Sequence, residues 1–450
     1  MATLFSRDKE KLPSADPFAA PAATPARGST PAAAPTGPEP TIRDVVTRRL
    51  VTAEFQPIVR LDTTEPVAFE AFARGPVGTA LNAPRAMFGA AEQLGLSAEL
   101  DQVAHAAAYR QALQAKLHPS LSLFVNADAR ELGAQIPDDL QGVVALALAK
   151  LRMLIEVSER TLVATPARAL AGIEKARASG WGIAWDNLGA SPDALALMPF
   201  VRPDVVKIDV GLAHEGFRGH AGSVVNAVIA YAERSGASIL ATGIESEDHV
   251  RTARGIGAIL GQGYHFGRPG ALPRNTTAPH RPITLIKDYG PTDPQSSPYN
   301  LYCAEKHASM ASPAMLEALA TQLELRTSID PEPPVIIACL PGNQLLSGGS
   351  MAQLQMITRN AGYAAAIMRD PPAFGIRGVR VVKAADDDPA RDEWALAVVG
   401  PHFSALLTAR ELPEGERRGD FTFSYGLTYD RPLVERAARA LLHRVTDADG

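Results

Sequence analysis

Phe69-Glu70-Ala71-Phe72-Ala73-Arg74 is a short apolar, β-prone run that carries one carboxylate and ends on a guanidinium. Ala184-Trp185-Asp186-Asn187-Leu188-Gly189 and Leu240-Ala241-Thr242-Gly243-Ile244-Glu245 repeat the theme further along the chain. Barrel enzymes collect their chemical groups from the C-terminal ends of several different strands, and carboxylates gathered this way make a divalent-metal site. Two of the segments also carry an uncharged polar residue close to the carboxylate, Asn187 or Thr242. The sequence therefore predicts a metal-site barrel.

Around these segments, β-prone runs fall at 53–61, 66–73, 121–126, 152–157, 181–186, 203–208 and 237–241, separated by Ala- and Leu-rich helical stretches such as 98–116 and 166–179. This spacing is that of β/α units closing into a TIM-like barrel, an α/β fold, with Glu70, Asn126, Glu156, Asp186, Lys207 and Glu245 at or near strand ends. Residues 1–40, dense in Pro and Ala, read as a disordered leader, and ordered chain is expected from Thr41, a hydroxyl cap candidate. The barrel is expected over 41–272, a Pro-rich linker over 273–298, and a second, smaller α/β domain over 299–446. That domain has expected strands at 335–340, 363–368, 379–384, 394–399 and 421–429, and helices at 312–325, 350–361 and 430–445.

At 450 residues, 46% apolar and 21% charged, the chain has the composition of an ordinary globular protein with room for large cores. A net charge of −5 argues against polymeric DNA or RNA and against an anionic membrane surface, while leaving room for a local basic pocket. No apolar run approaches the ~20 residues that span a bilayer. The two cysteines, Cys303 and Cys339, have neither metal-ligand nor disulfide spacing, and a reducing cytoplasm fits. The barrel histidines His105, His118, His214, His220 and His249 show no ligand spacing either. Gly348-Gly349-Ser350 reads as a flexible turn with Ser350 as a helix cap.

Taken singly, Glu156 or Asp209 reads as a solvated strand end and Lys207 as a snorkelling surface lysine. Their joint order decides otherwise. Gln56-Pro57-Ile58, Glu70-Ala71-Phe72 with Arg74, Val125-Asn126, Ile155-Glu156-Val157, Asp186-Asn187-Leu188-Gly189, Lys207-Ile208-Asp209, Gly243-Ile244-Glu245 and Gln262-Gly263-Tyr264, closing on Phe266-Gly267-Arg268-Pro269, resemble the EAL domain family in unbroken order. The resemblance implies a phosphodiesterase that opens cyclic di-GMP to linear pGpG with two Mg²⁺ or Mn²⁺ ions. It implies metal ligation by Glu70, Asn126, Glu156 and Asp186, substrate binding by Gln56, Arg74 and Gln262, and catalytic roles for Lys207 and Glu245. The oxygen-rich ligand set and the planar fork of Arg74 suit hard cations and phosphate.

The family has two consecutive aspartates where this chain has Asp186-Asn187, and a glutamate where it has Thr242. One metal site is thus expected complete and the second doubtful. Loss of a general base typically costs on the order of 10² to 10⁴ in rate, so weak or absent hydrolysis is the leading expectation. An active phosphodiesterase is the alternative, and a nucleotide-independent protein-interaction module the second. The loop Gly189-Ala190-Ser191-Pro192 also departs from the family, which bears on an expected homodimer. Phe421-Thr422-Phe423-Ser424-Tyr425 leading into Leu427-Thr428-Tyr429-Asp430-Arg431 resembles a DICT sensory domain, implying an unknown signal or partner at the C-terminal half.

Overall fold

Strand alternation positions everything that follows. The computed structural model describes residues 39–128, 135–188, 192–211, 220–286, 295–329, 333–341, 361–373 and 375–446. The expected leader, the loop 189–191, Gly348-Gly349-Ser350 and nearly all of the helix expected at 350–361 lie outside the described residues. From Pro40 onward the chain is one compact unit. It opens with helix α1 (Ile42–Thr47), where Thr41 and Asp44 form a reciprocal capping box.

Eight strands close into a barrel: β1 (Thr52–Arg60), β2 (Pro66–Arg74), β3 (Ser122–Asn126), β4 (Arg152–Val157), β5 (Gly182–Leu188), β6 (Val205–Asp209), β7 (Ser238–Thr242) and β8 (Leu260–Gln262). From β2 to β8 neighbouring strands run parallel, with helices in the connections. Those helices are α2 (Pro84–Gln93), α3 (Ser97–Ala115), α4 (Asp138–Lys150), α5 (Glu159–Ala164), α6 (Pro166–Ala178), α7 (Pro192–Val201), α8 (His220–Ser235) and α9 (Glu247–Gly255). The barrel departs from pure β/α repetition at β1, which is antiparallel to both β2 and β8. The cause is local. The turn after Arg60 is too short for a crossover helix, and Arg60 N donates back to Glu65 O at 2.9 Å.

Inside the barrel, Ile58, Ala68, Phe124, Leu154, Ala184, Val205, Leu240 and Leu260 form an apolar layer contributed by all eight strands. Side chains two residues apart share a face. The next inward position along each parallel strand is therefore Glu70, Asn126, Glu156, Asp186, Lys207, Thr242 or Gln262, and on the reversed β1 it is Gln56. One apolar layer thus supports a complete polar layer above it.

The stretch 273–298 does more than link. Ile283 is buried in that same interior layer, with Leu285 packed against it. Arg152 donates to Ile283 O, and the buried Asp204 accepts from Ile183 N and Ile286 N, each at 2.7 Å. Ile283–Ile286 closes the bottom of the barrel.

Beyond it lie α10 (Pro298–Glu305), β9 (Ser309–Ala311), α11 (Pro313–Ile329), β10 (Val335–Leu340), β11 (Tyr363–Met368), β12 (Arg380–Lys383), β13 (Glu393–Val399), β14 (Ser404–Glu411), β15 (Phe423–Thr428) and α12 (Arg431–Leu442). The strands form a mixed sheet in the order β12-β11-β10-β13-β14-β15-β9. Both faces are covered, so β10 and β11 are buried along their whole length. Leu316, Ala320 and Leu323 of α11 pack on one face. On the other, Val434, Ala437, Ala438 and Leu441 of α12 join Val335, Ile337, Ala397 and the outer barrel residues in one continuous core.

Candidate functional site

Lys207 is the centre of the polar layer. Its Nζ lies 2.7 Å from Glu156 Oε1, 3.1 Å from Glu70 Oε2 and 3.1 Å from Asp186 Oδ1. Lys207, Glu70 and Glu156 are each about 5% exposed or less. Burial works against the Lys207 ammonium, but Glu156, Glu70 and Asp186 together outweigh it and hold its pKa well above the ordinary lysine value. Burial drives Glu156 well above the usual carboxylate range, and the neighbouring Glu70 and Asp186 add to this while Lys207 opposes it. Three carboxyl groups thus converge on one ammonium.

A second set of bonds fixes the far side. Gln262 Nε2 reaches Glu70 Oε2 at 2.8 Å and Gln56 Oε1 at 3.2 Å, and Gln56 Nε2 donates to Gly267 O at 2.9 Å. Glu70, Glu156, Asp186, Lys207, Gln56 and Gln262 are therefore brought together. The other expected residues lie around the rim. Asn126 is exposed at the end of β3, paired in register with Glu156. Arg74, at the end of β2, donates from Nε to Glu54 Oε2 at 2.9 Å and stands 5.9 Å from the Phe72 ring centre. Thr242 is half-buried, its Oγ1 donating to Ile208 O at 3.4 Å. Asn187 lies in β5 where the pairing with β6 shifts register between Trp185 and Leu188.

Glu245 is exposed, on a loop that β8 holds in place: Ile244 N donates to Gln262 O and His265 N to Ile244 O, both at 3.0 Å. A Cβ on Gly263 would fall 2.0 Å from Ile244 O, so glycine is required for this close backbone approach. Two contributors escaped the sequence reading. Glu54 holds Arg74, and His105 Nε2 pairs with Asn126 O at 2.7 Å. Both act from adjoining elements, and no spacing in the sequence pointed to either role.

A cleft of about 420 Å³ opens beside the cluster, lined by Phe72, Phe88, His105, Asn126, Glu156 and Asp186. Among the described residues no group of three or more His, Cys, Asp and Glu side chains is set to hold a metal ion unaided. The carboxylates are turned onto Lys207 instead. Two observations nonetheless fit a divalent ion at this place: the convergence of three carboxyl groups, and Glu156 Oε2, which is buried without a hydrogen-bond partner. An all-oxygen set completed by the Asn126 amide is the donor chemistry of a hard cation.

A closed α/β barrel with a polar cluster at the C-terminal strand ends defines the class. The EAL domain profile matches residues 41–269, slightly over half of the chain, and the chain belongs to the EAL domain family. It is 27% identical over 161 residues to the cyclic di-GMP phosphodiesterase RocR of Pseudomonas aeruginosa, covering 34% of this chain and 40% of that protein. It is 28% identical over 221 residues to the cyclic di-GMP phosphodiesterase NbdA of the same species, covering 48% and 28%. An uncharacterised protein of Azorhizobium caulinodans is 28% identical over 268 residues, covering 56% and 35%. These alignments thus span well under half of each relative's length. Among solved structures, BlrP1 of Klebsiella pneumoniae in complex with manganese and cyclic di-GMP is 26% identical, with a TM-score of 0.42, covering 49% of this chain and 56% of that one. No helix among the described residues is long and apolar enough to cross a membrane.

Proposed function

We propose that the barrel binds cyclic di-GMP together with a divalent ion, Mg²⁺ or Mn²⁺, and hydrolyses the nucleotide slowly or not at all, with the C-terminal half serving as a DICT-like sensory region. The observation that carries this reading is the convergence of Glu70, Glu156 and Asp186 on one point around Lys207, with the buried Glu156 Oε2 left without a hydrogen-bond partner. It lies at the mouth of a cleft in a chain of the EAL family. Glu70, Asn126, Glu156 and Asp186 would hold the ion, which would supply charge to polarise a phosphodiester and acidify water. Arg74 would take nonbridging phosphate oxygens, Gln56 and Gln262 would fix the far end of the substrate, and Lys207 would hold the carboxylates in register.

Weak turnover follows from two residues. Thr242 cannot accept a proton at neutral pH, and Asn187 offers a second ion an amide without charge. Glu245, exposed at the loop after β7, and Asp209, in register with Thr242 at the end of β6, are carboxylates on that side. The reading is tested by titrating Mn²⁺ into Glu70→Ala. Loss of one hard ligand and one charge should weaken ion binding by about tenfold or more, roughly 1.4 kcal/mol. Unchanged affinity would remove the ion from this site.

A further inference from the structure

The C-terminal half grips the barrel on one sector. Arg439 of α12, only 3% exposed, donates to Phe200 O in the last turn of α7 and binds Glu174 of α6 through Nη2 at 2.9 Å. His443 also meets Glu174, at 3.0 Å. Arg380 of β12 donates to Ala164 O at the end of α5, and His402 pairs with Asn226 of α8 at 2.9 Å. Helices α5 and α6 follow β4, α7 follows β5 and α8 follows β6. Those three consecutive strands supply Glu156, Asp186 and Lys207, the three members of the ion cluster that share neither the hairpin nor β8.

Two of the grips have a defined physical effect. The last carbonyls of a helix have no partner within it and attract cations. Arg380 and Arg439 satisfy such carbonyls on α5 and α7 from another part of the chain. Phe200 lies near the entry to β6, and Arg177 of α6 steadies the same turn by donating to Arg202 O and Asp204. The end of α7 and the position of β6, hence of Lys207, are thus tied to α12.

We infer that α12 is a coupling element through which the C-terminal half sets the geometry of the β4–β6 sector, and so controls the affinity of the barrel for its ligand. The inference rests on the ligand reading given above, and the test separates the two. By reciprocity, a ligand that orders the cluster must also favour the docked state of α12.

The experiment uses the full chain. Cyclic di-GMP with Mn²⁺ is titrated into the native protein, Arg439→Ala and Glu174→Gln, and amide hydrogen exchange is followed over 205–209 and 431–442. Arg281→Ala, at an exposed pair with Asp62 remote from this interface, is the control. The expected result is an affinity at least about fivefold weaker in Arg439→Ala, faster exchange over 205–209, and slower exchange over 431–442 when the native protein is loaded. Glu174→Gln should show the same changes to a smaller degree, and it carries the test if Arg439→Ala fails to fold. Native-like affinity and native-like exchange over 205–209 in a folded variant would overturn the coupling. Absence of nucleotide binding by the native protein would instead refute the ligand reading, while exchange over 205–209 in the free variants would still decide the coupling.

Discussion

Lys207 Nζ and Glu156 Oε1 lie 2.7 Å apart inside the barrel, on β6 and β4 with β5 between them, both almost wholly shielded from water. Truncating one partner of a buried pair leaves the other charge uncompensated and costs about 3–5 kcal/mol. Lys207→Met should lose stability of that order in denaturant titrations without divalent ions. Because Glu70, Glu156 and Asp186 then remain clustered without Lys207, Mn²⁺ should restore part of the loss, more than it adds to the native protein. A variant as stable as the native chain, or indifferent to Mn²⁺, would show that the ammonium is not what balances this cluster.

Glu393 gives a pH signature away from the barrel. Its side chain is fully buried, and burial raises its pKa although Ser297, Tyr299 N and Arg410 all bond to it. A carboxyl raised in the folded state binds protons there that the unfolded chain has released. Its contribution is full below the ordinary carboxylate value and is lost as pH rises through the raised folded value. Glu393→Gln should therefore flatten the fall in unfolding free energy across that window. Parallel native and variant profiles would be inconsistent with this account.

The barrel was legible because its interior obeys a simple period: Leu154 and Glu156, Val205 and Lys207, Ala68 and Glu70 stand two apart on the same face. What escaped was short or locally ambiguous. Strand β8 is only Leu260–Gln262, with a glycine at its centre, and β9 only Ser309–Ala311. Strand β14, Ser404–Glu411, is rich in Ala and Leu and has no strong β preference of its own; pairing with β13 and β15 imposes the conformation. Ile283 and Leu285 were hidden among prolines, and only their alternation with Thr284 hinted at burial. The motif order located the site residues, but not that Lys207 would meet three carboxylates, since that distance depends on barrel closure.

The two departures make a kinetic prediction. Thr242→Glu together with Asn187→Asp should raise hydrolysis of cyclic di-GMP, and the pair should exceed the product of the single effects, because groups that activate one water act as a unit. Restoring a general base alone is worth on the order of 10² to 10⁴ in rate. Product formation measured by chromatography for both singles and the double variant decides this. A double variant that binds the nucleotide yet stays silent would mean that other residues disable the site.

The most direct test of the central claim is calorimetric titration of cyclic di-GMP into the native protein with Mg²⁺ or Mn²⁺, followed by analysis of the same samples for linear product. The account predicts clear binding that depends on the ion, with turnover far below about 1 s⁻¹. No binding at micromolar protein, or turnover at or above that rate, would contradict it.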